Sequence, residues 1–305
     1  MWEALSIAGK LMKKALYIIL ISLSVLTGCF KKEINEKNQS PAKITPPEGA
    51  VIIALLDTGI STSAIDKSVV LEGYNYVENN FDAEDKINHG TAAASVIVGS
   101  APAKIEGLCK NACLVPLVVS TKTGKNQQSI NPRLLAQAII DSVDKYRADI
   151  INISLGFKKD LPEVKRAVEY AENMGVLVVA AVGNDGEESS PLFPASYETV
   201  IAVGSHDKDG KVSVFSQKNG TVDILAPGED IWLASRRGKT YGAYGTSYAC
   251  AYVSAAAANL ISKNPGITPK EVREKLFKSA TDIGGEGFDS ESGWGILNLE
   301  KALSD

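Results

Sequence analysis

The sequence predicts an α/β fold of three layers, with a mostly parallel central sheet flanked by helices. Three observations predict it. Short apolar runs recur at residues 51–56 (VIIALL, uninterrupted), 114–119, 150–155 and 176–182 (VLVVAAV), and such runs suit strands buried on both faces of a parallel sheet. Between them, residues 132–146 and 161–174 carry helical patterning, and strands alternating with helices argue for parallel pairing with helices on both faces. The chain has 305 residues, 45% of them hydrophobic and 22% charged. That is enough to bury a large core as one domain behind a short leader.

In order, the chain opens on a targeting segment. Met12-Lys13-Lys14 is basic, residues 15–25 are continuously apolar, and Leu26-Thr27-Gly28-Cys29 follows at once, which is the layout of an export signal. The apolar run is too short for a spanning helix. Leu26 to Cys29 resembles the lipobox of bacterial lipoproteins. That resemblance implies a signal peptide over 1–28, cleavage before Cys29 and diacylation of its sulfur, palmitate being the expected kind of chain. Met12 is the better candidate for the true first residue. Residues 30–49 are polar, carry three prolines and lack periodicity, so 29–49 reads as a lipidated cysteine and tether. The folded domain is assigned to 50–305.

The strand at 51–56 ends in Asp57-Thr58-Gly59, and the carboxyl ends of strands are where open α/β sheets place their sites. A turn aspartate is the alternative. Residues 60–88 form a polar excursion, read as a loop with an edge hairpin. His89-Gly90-Thr91 and the alanines after it suit a helix start packed tightly on the sheet. The chain holds two histidines, and imidazole is the side chain suited to moving a proton near neutral pH. His206, in the turn-like SHDKDG, reads as an exposed loop residue.

The strand at 176–182 ends in Gly183-Asn184-Asp185-Gly186, and shorter strands are expected at 200–204, 224–225 and 231–234. Residues 241–260 (YGAYGTSYACAYVSAAAANL) read as a turn that delivers Ser247 onto the start of a buried helix. Unpaired backbone N–H groups and the positive end of the helix dipole there favour negative charge beside the hydroxyl. Ser247 taken alone reads as an N-cap.

Asp57, His89 and Ser247 fall in the chain order of subtilisin, and residues 51–303 resemble a bacterial subtilase, a subtilisin-like serine endopeptidase of peptidase family S8. The resemblance rests on Asp57-Thr58-Gly59, His89-Gly90-Thr91, Gly183-Asn184 and Gly245-Thr246-Ser247, supported by VIAVGS at Val200, DILAPG at Asp223 and GWGILN at Gly293. It implies that Ser247 attacks the scissile carbonyl, that His89 takes and returns its proton, and that Asp57 orients the imidazole. It also implies that Asn184 and the Ser247 N–H bind the oxyanion. Substrate would add as an extended strand along Ser154-Leu155-Gly156, with residues 124–129 as the opposite rail. Asp185 falls near the rim of the pocket for the residue preceding the cut, where it either favours a basic or polar side chain or is a solvated turn residue; the second reading is preferred.

The sequence departs from the family in places. Tyr248-Ala249-Cys250-Ala251 stands where Met-Ala-X-Pro is common, and Ala92 replaces a frequent second histidine. Residues 30–49 leave no room for a folding pro-domain. Residues 99–107 lie where relatives hold a calcium loop but offer few suitable oxygen ligands, so no metal or other cofactor is expected. Cys109 and Cys113 are compatible with a small-loop disulfide or with two free thiols, and Cys250 reads as buried and inert.

The favoured function is thus a membrane-tethered serine endopeptidase (EC 3.4.21), exported and held at the cell membrane by Cys29, acting on protein or peptide substrates as a monomer. A narrower version is a processing protease with one dedicated substrate. The alternative is a catalytically silent surface protein of the same fold that binds peptides or a partner. A net charge of -4 gives no electrostatic reason for nucleic acid as a partner.

Overall fold

A computed structural model describes residues 45–123, 127–186 and 190–304. The signal segment, Cys29 and the tether through residue 44 lie outside the described residues, as do 124–126 of the expected second rail. In chain order the strands are β1 (Val51–Asp57), β2 (Tyr74–Asn75), β3 (Gly99–Ser100), β4 (Ile105–Glu106), β5 (Ala112–Val118), β6 (Ser120–Thr123), β7 (Gln127–Ile130), β8 (Ile150–Ile153), β9 (Leu177–Ala181), β10 (Val200–His206), β11 (Ile224–Pro227), β12 (Ile231–Ala234) and β13 (Thr240–Ala243). The helices are α1 (His89–Val98), α2 (Pro132–Asp144), α3 (Pro162–Asn173), α4 (Thr246–Lys263), α5 (Pro269–Ser279) and α6 (Leu299–Ser304).

Seven strands form the central sheet in the order β11-β10-β9-β8-β1-β5-β2, and each neighbouring pair is parallel. The apolar runs follow from this, because successive residues of a strand face opposite layers and both layers are covered. In β1, Ile53 and Leu55 pack into one core while Ala54 and Leu56 pack into the other. The first core also takes α1, α4 and α5; the second takes α2 and α3. The result is the expected three-layer subtilisin-like arrangement.

Helix boundaries follow local chemistry. α2 begins with Pro132 after Asn131, whose side chain accepts from the Arg133 amide at 3.0 Å. α5 opens on a capping box in which Thr268 and Glu271 bond each other's backbone amides, a cap contributing about 1 kcal/mol. α4 is lined with alanine, Ala249, Ala251 and Ala255 being fully buried. Small side chains let this helix lie close against the sheet.

The topology fixes where a site can form. β1 lies between β8 and β5, so the chain leaves it toward one edge and later returns on the other side, opening a crevice at the carboxyl ends of the strands. Asp57 ends β1, and Ser154 follows β8 at that same edge.

Several expectations are corrected. The edge hairpin expected over 60–88 is reduced to a single antiparallel bridge, Asn75 to Asn80, while Tyr74–Asn75 also pairs parallel with β5 as the sheet's last strand. Residues 241–243, read as part of a turn, fall in β13, antiparallel to β12 and outside the central sheet. Residues 154–155 have left β8. His206 ends β10 and is half-buried, not an exposed loop residue. Of the two alternatives open for Cys109 and Cys113, free thiols are the one found, since Cys109 packs in the first core and Cys113 in the second, on the opposite side of the sheet. Burial raises both thiol pKa values.

Candidate active site

The first half of the site is built where β1 meets α1. Asp57 is buried, and His89 Nδ1 lies 2.8 and 2.9 Å from its two oxygens. Asp57 Oδ1 also accepts from the Thr58 amide at 2.7 Å. His89 is the first residue of α1 because Asn88 before it turns the chain with φ 96°. Gly90 is required here: a Cβ on it would stand 2.2 Å from the Gly59 carbonyl oxygen, so only glycine lets the helix start come this close to the loop after β1.

A residue the sequence reading missed holds this geometry. Asp85 is fully buried and accepts five hydrogen bonds, from Thr58 Oγ1, the amides of Ile87, Asn88 and Thr91, and Thr91 Oγ1. Asn88, the N-cap residue of α1, makes no side-chain cap bond. Asp85 fills that role from outside the helix, and its charge suits the positive helix end. Thr58 Oγ1 in turn accepts from the Gly90 amide at 2.9 Å. One carboxylate thereby fastens the loop carrying Asp57 to the helix start carrying His89. The available signal was an acidic residue just upstream of a helix start.

Electrostatics follow from this placement. Burial alone would lower the pKa of His89, but the charge and hydrogen bond of Asp57, with the charge of Asp85 behind it, outweigh burial and raise it above the usual histidine value of 6.5.

The second half is built where β8 and β9 meet α4. Ser247 is the second residue of α4, delivered by Gly245 with φ 147°. Asn184 Oδ1 accepts from the Thr246 amide and Thr246 Oγ1, both at 2.9 Å. With its oxygen committed, Asn184 keeps its amide nitrogen for another partner, and a Cβ on Gly245 would lie 3.6 Å from that nitrogen and 3.9 Å from the Ser247 backbone nitrogen, so the two lie beside the same point. Ser154 Oγ donates to the Ser247 carbonyl at 3.2 Å, and the Ser247 hydroxyl donates to the Ser154 carbonyl at 3.4 Å.

Asn152, in β8, is the buried fastener of this half. Its Nδ2 donates to Ser154 Oγ at 3.1 Å, and its Oδ1 accepts from Ser254 Oγ at 2.9 Å and Cys250 Sγ at 3.3 Å. Cys250 is fully buried as expected, and burial raises its pKa. Asn152 was not singled out from sequence, because it interrupts an apolar run without a motif around it.

The halves meet through α1 and α4, and Tyr248, next to Ser247, has its ring centroid 5.8 Å from that of His89. The structure therefore gathers Asp57, His89, Ser247, Asn184 and the segment Ser154-Leu155-Gly156 at one sheet edge. β6 and β7, the second of which holds residues 127–129 of the expected second rail, form an antiparallel pair. Asp185 does not present a free charge, since its carboxylate pairs with Lys158 Nζ at 3.0 Å. His206 Nδ1 contacts the Asp207 carbonyl at 2.7 Å and takes no part in this cluster.

A model of the subtilase family matches residues 48–295. The chain belongs to the subtilase family. Among curated relatives, it is 37% identical over 240 residues to the Thermophilic serine proteinase of Bacillus sp. (strain AK1), covering 77% of this chain and 57% of that protein. The chain thus spans somewhat more than half the length of this relative. Among solved structures of subtilase-like chains, it superposes with TM-score 0.71 and 30% identity on a serine-to-alanine mutant of the protease domain of PatA, covering 83% of this chain and 94% of the other. Prenylagaramide maturation protease PagA gives TM-score 0.71 and 28% identity, with 84% and 94% covered.

Proposed function

We propose that this subtilase is a serine endopeptidase that works through an acyl-enzyme. The observation that carries the reading is the His89 to Asp57 pair at the start of one buried helix, set beside Ser247 at the start of another. His89 takes the Ser247 proton as the hydroxyl oxygen attacks the scissile carbonyl, and Asp57 fixes the imidazole with Nδ1 protonated and stabilises its charged form. The carbonyl oxygen gains negative charge in that step. Asn184 Nδ2 and the Ser247 amide receive it, and losing such a side-chain donor costs on the order of 2.7–4 kcal/mol in subtilisin, from which that figure comes. His89 then protonates the leaving amine, and water repeats the sequence on the ester.

Substrate lies extended along Ser154-Leu155-Gly156, its backbone bonding as an added strand. The pairing of Asp185 with Lys158 supports a pocket rim of little net charge. Purified chain treated with a fluorophosphonate probe should label on Ser247, and Ser247→Ala should abolish labelling. Absence of labelling in folded wild type would overturn the reading.

The reading extends to location and task. Export, cleavage before Cys29 and acylation of its sulfur would tether the enzyme at the membrane, supported by the order of basic residues, apolar run and Leu26-Thr27-Gly28-Cys29. A dedicated processing role is supported by this tether and by likeness to a maturation protease. Detergent-phase partitioning that survives in Cys29→Ala would contradict the anchor, and broad casein digestion would contradict narrow specificity.

A further inference from the structure

Tyr248 stands directly after Ser247, where subtilases commonly carry methionine. Its ring plane is inclined 33° to that of His89, with 5.8 Å between centroids. At such separations an aromatic face attracts a cation through its quadrupole. His89 becomes a cation at the moment it takes the Ser247 proton.

The phenol is fixed in place from a third element. Its hydroxyl and that of Tyr241 are hydrogen-bonded to each other, and Tyr241 Oη also accepts from Asn88 Nδ2 at 2.9 Å. Asn88 Oδ1 accepts from the Arg236 amide, in the turn between β12 and β13, and Asn88 is the residue immediately before His89. The aromatic ring and the imidazole are therefore fastened to one another through the hairpin. Tyr248 is buried, so it has little freedom to turn away.

We propose that Tyr248 is a positioning residue for His89, its ring face stabilising the imidazolium while the bonds through Tyr241 and Asn88 keep the two rings in register. The inference rests on the serine endopeptidase reading. The groups around the imidazole are Asp57 from β1, Asp85 from the loop before α1 and the neutral phenols of Tyr248 from α4 and Tyr241 from β13; Arg236 of the hairpin turn is exposed and reaches Asn88 only through its backbone amide. The two carboxylates set the larger part of its basicity, and the ring adds a smaller part in the same direction.

The test is a proton NMR titration of the full chain. With two histidines in the sequence, a His206→Gln background leaves one imidazole to follow. Replacing Tyr248 by leucine should move the His89 midpoint down by roughly 0.5 to 1 pH unit, and the acid limb of kcat/KM should move with it. Tyr248→Phe, which keeps the ring, should retain the wild-type midpoint while kcat falls a few-fold from the lost hydroxyl bond. Tyr248→Met replaces the leucine variant if the latter fails to fold. An unchanged midpoint in a folded ringless variant overturns the proposal. Failure of the endopeptidase reading shows separately, as wild type that does not react with fluorophosphonate, and the titration still reports the ring contact in that case.

Discussion

Asp57 and His89 are gathered around a buried carboxylate, whereas Ser247 and Asn184 are held by neutral hydrogen bonds and small side chains. In the first half, Asp85 collects donors from the loop after β1 and the start of α1. In the second, Asn152 and Thr246 tie β8, β9 and α4 together, and alanines set the distance. The contrast teaches that one half is sensitive to charge and the other to volume and amide chemistry, although both deliver their side chains to the same edge.

The sharpest way to break the comparison is Asp85→Ala. It strands five donors around a buried site, and removing one partner of such a charged network costs about 3–5 kcal/mol. Urea unfolding should show that loss, with kcat/KM falling in parallel as His89 drifts. Asn184→Ala should do the converse, lowering kcat by about 10²–10³ while the unfolding midpoint stays near wild type. Asn152→Ala lies between them, leaving Ser154 and Ser254 without their partner at a cost of about 1–3 kcal/mol; denaturation melts would measure it. Should Asn152→Ala prove costlier than Asp85→Ala, the contrast between the halves fails.

The mildest effect is on pH. Since the folded-state pKa of His89 is raised and the base must be neutral, activity should fall as pH drops through a value above 6.5. Asp85→Asn removes one of the charges responsible, so its acid limb should lie lower than in wild type. For stability the sign is opposite: the attraction of Asp57 and Asp85 for charged His89 is fully present below about 6.5 and is lost as pH rises through the folded value. Profiles of kcat/KM and of the unfolding midpoint against pH would read the two effects separately.

What the sequence disclosed follows from the range of the interactions. Val51–Asp57 and Leu177–Ala181 were legible because a strand covered on both sides must be apolar throughout, and His89 and Ser247 because glycine and threonine beside them form short local motifs. Asp85, Asn152 and Tyr241 were not, because their partners lie far along the chain: Asn152 meets Ser254 across 102 residues and Asn88 meets Tyr241 across 153. β2 was obscured because an edge strand of two residues carries no periodicity. The separation of Cys109 from Cys113 depended on which core each enters, Cys109 before β5 and Cys113 within it, a matter that spacing does not encode.

The order in which these parts are synthesised matters for when the enzyme can act. Asp57 and His89 are 32 residues apart, but the segment bearing Ser154 must wait a further 93 for Ser247. A nascent chain would therefore possess its acid and its base well before it has anything to attack with. On the proposed catalysis, self-cleavage would have to wait until α4, the helix that carries Ser247, has been made.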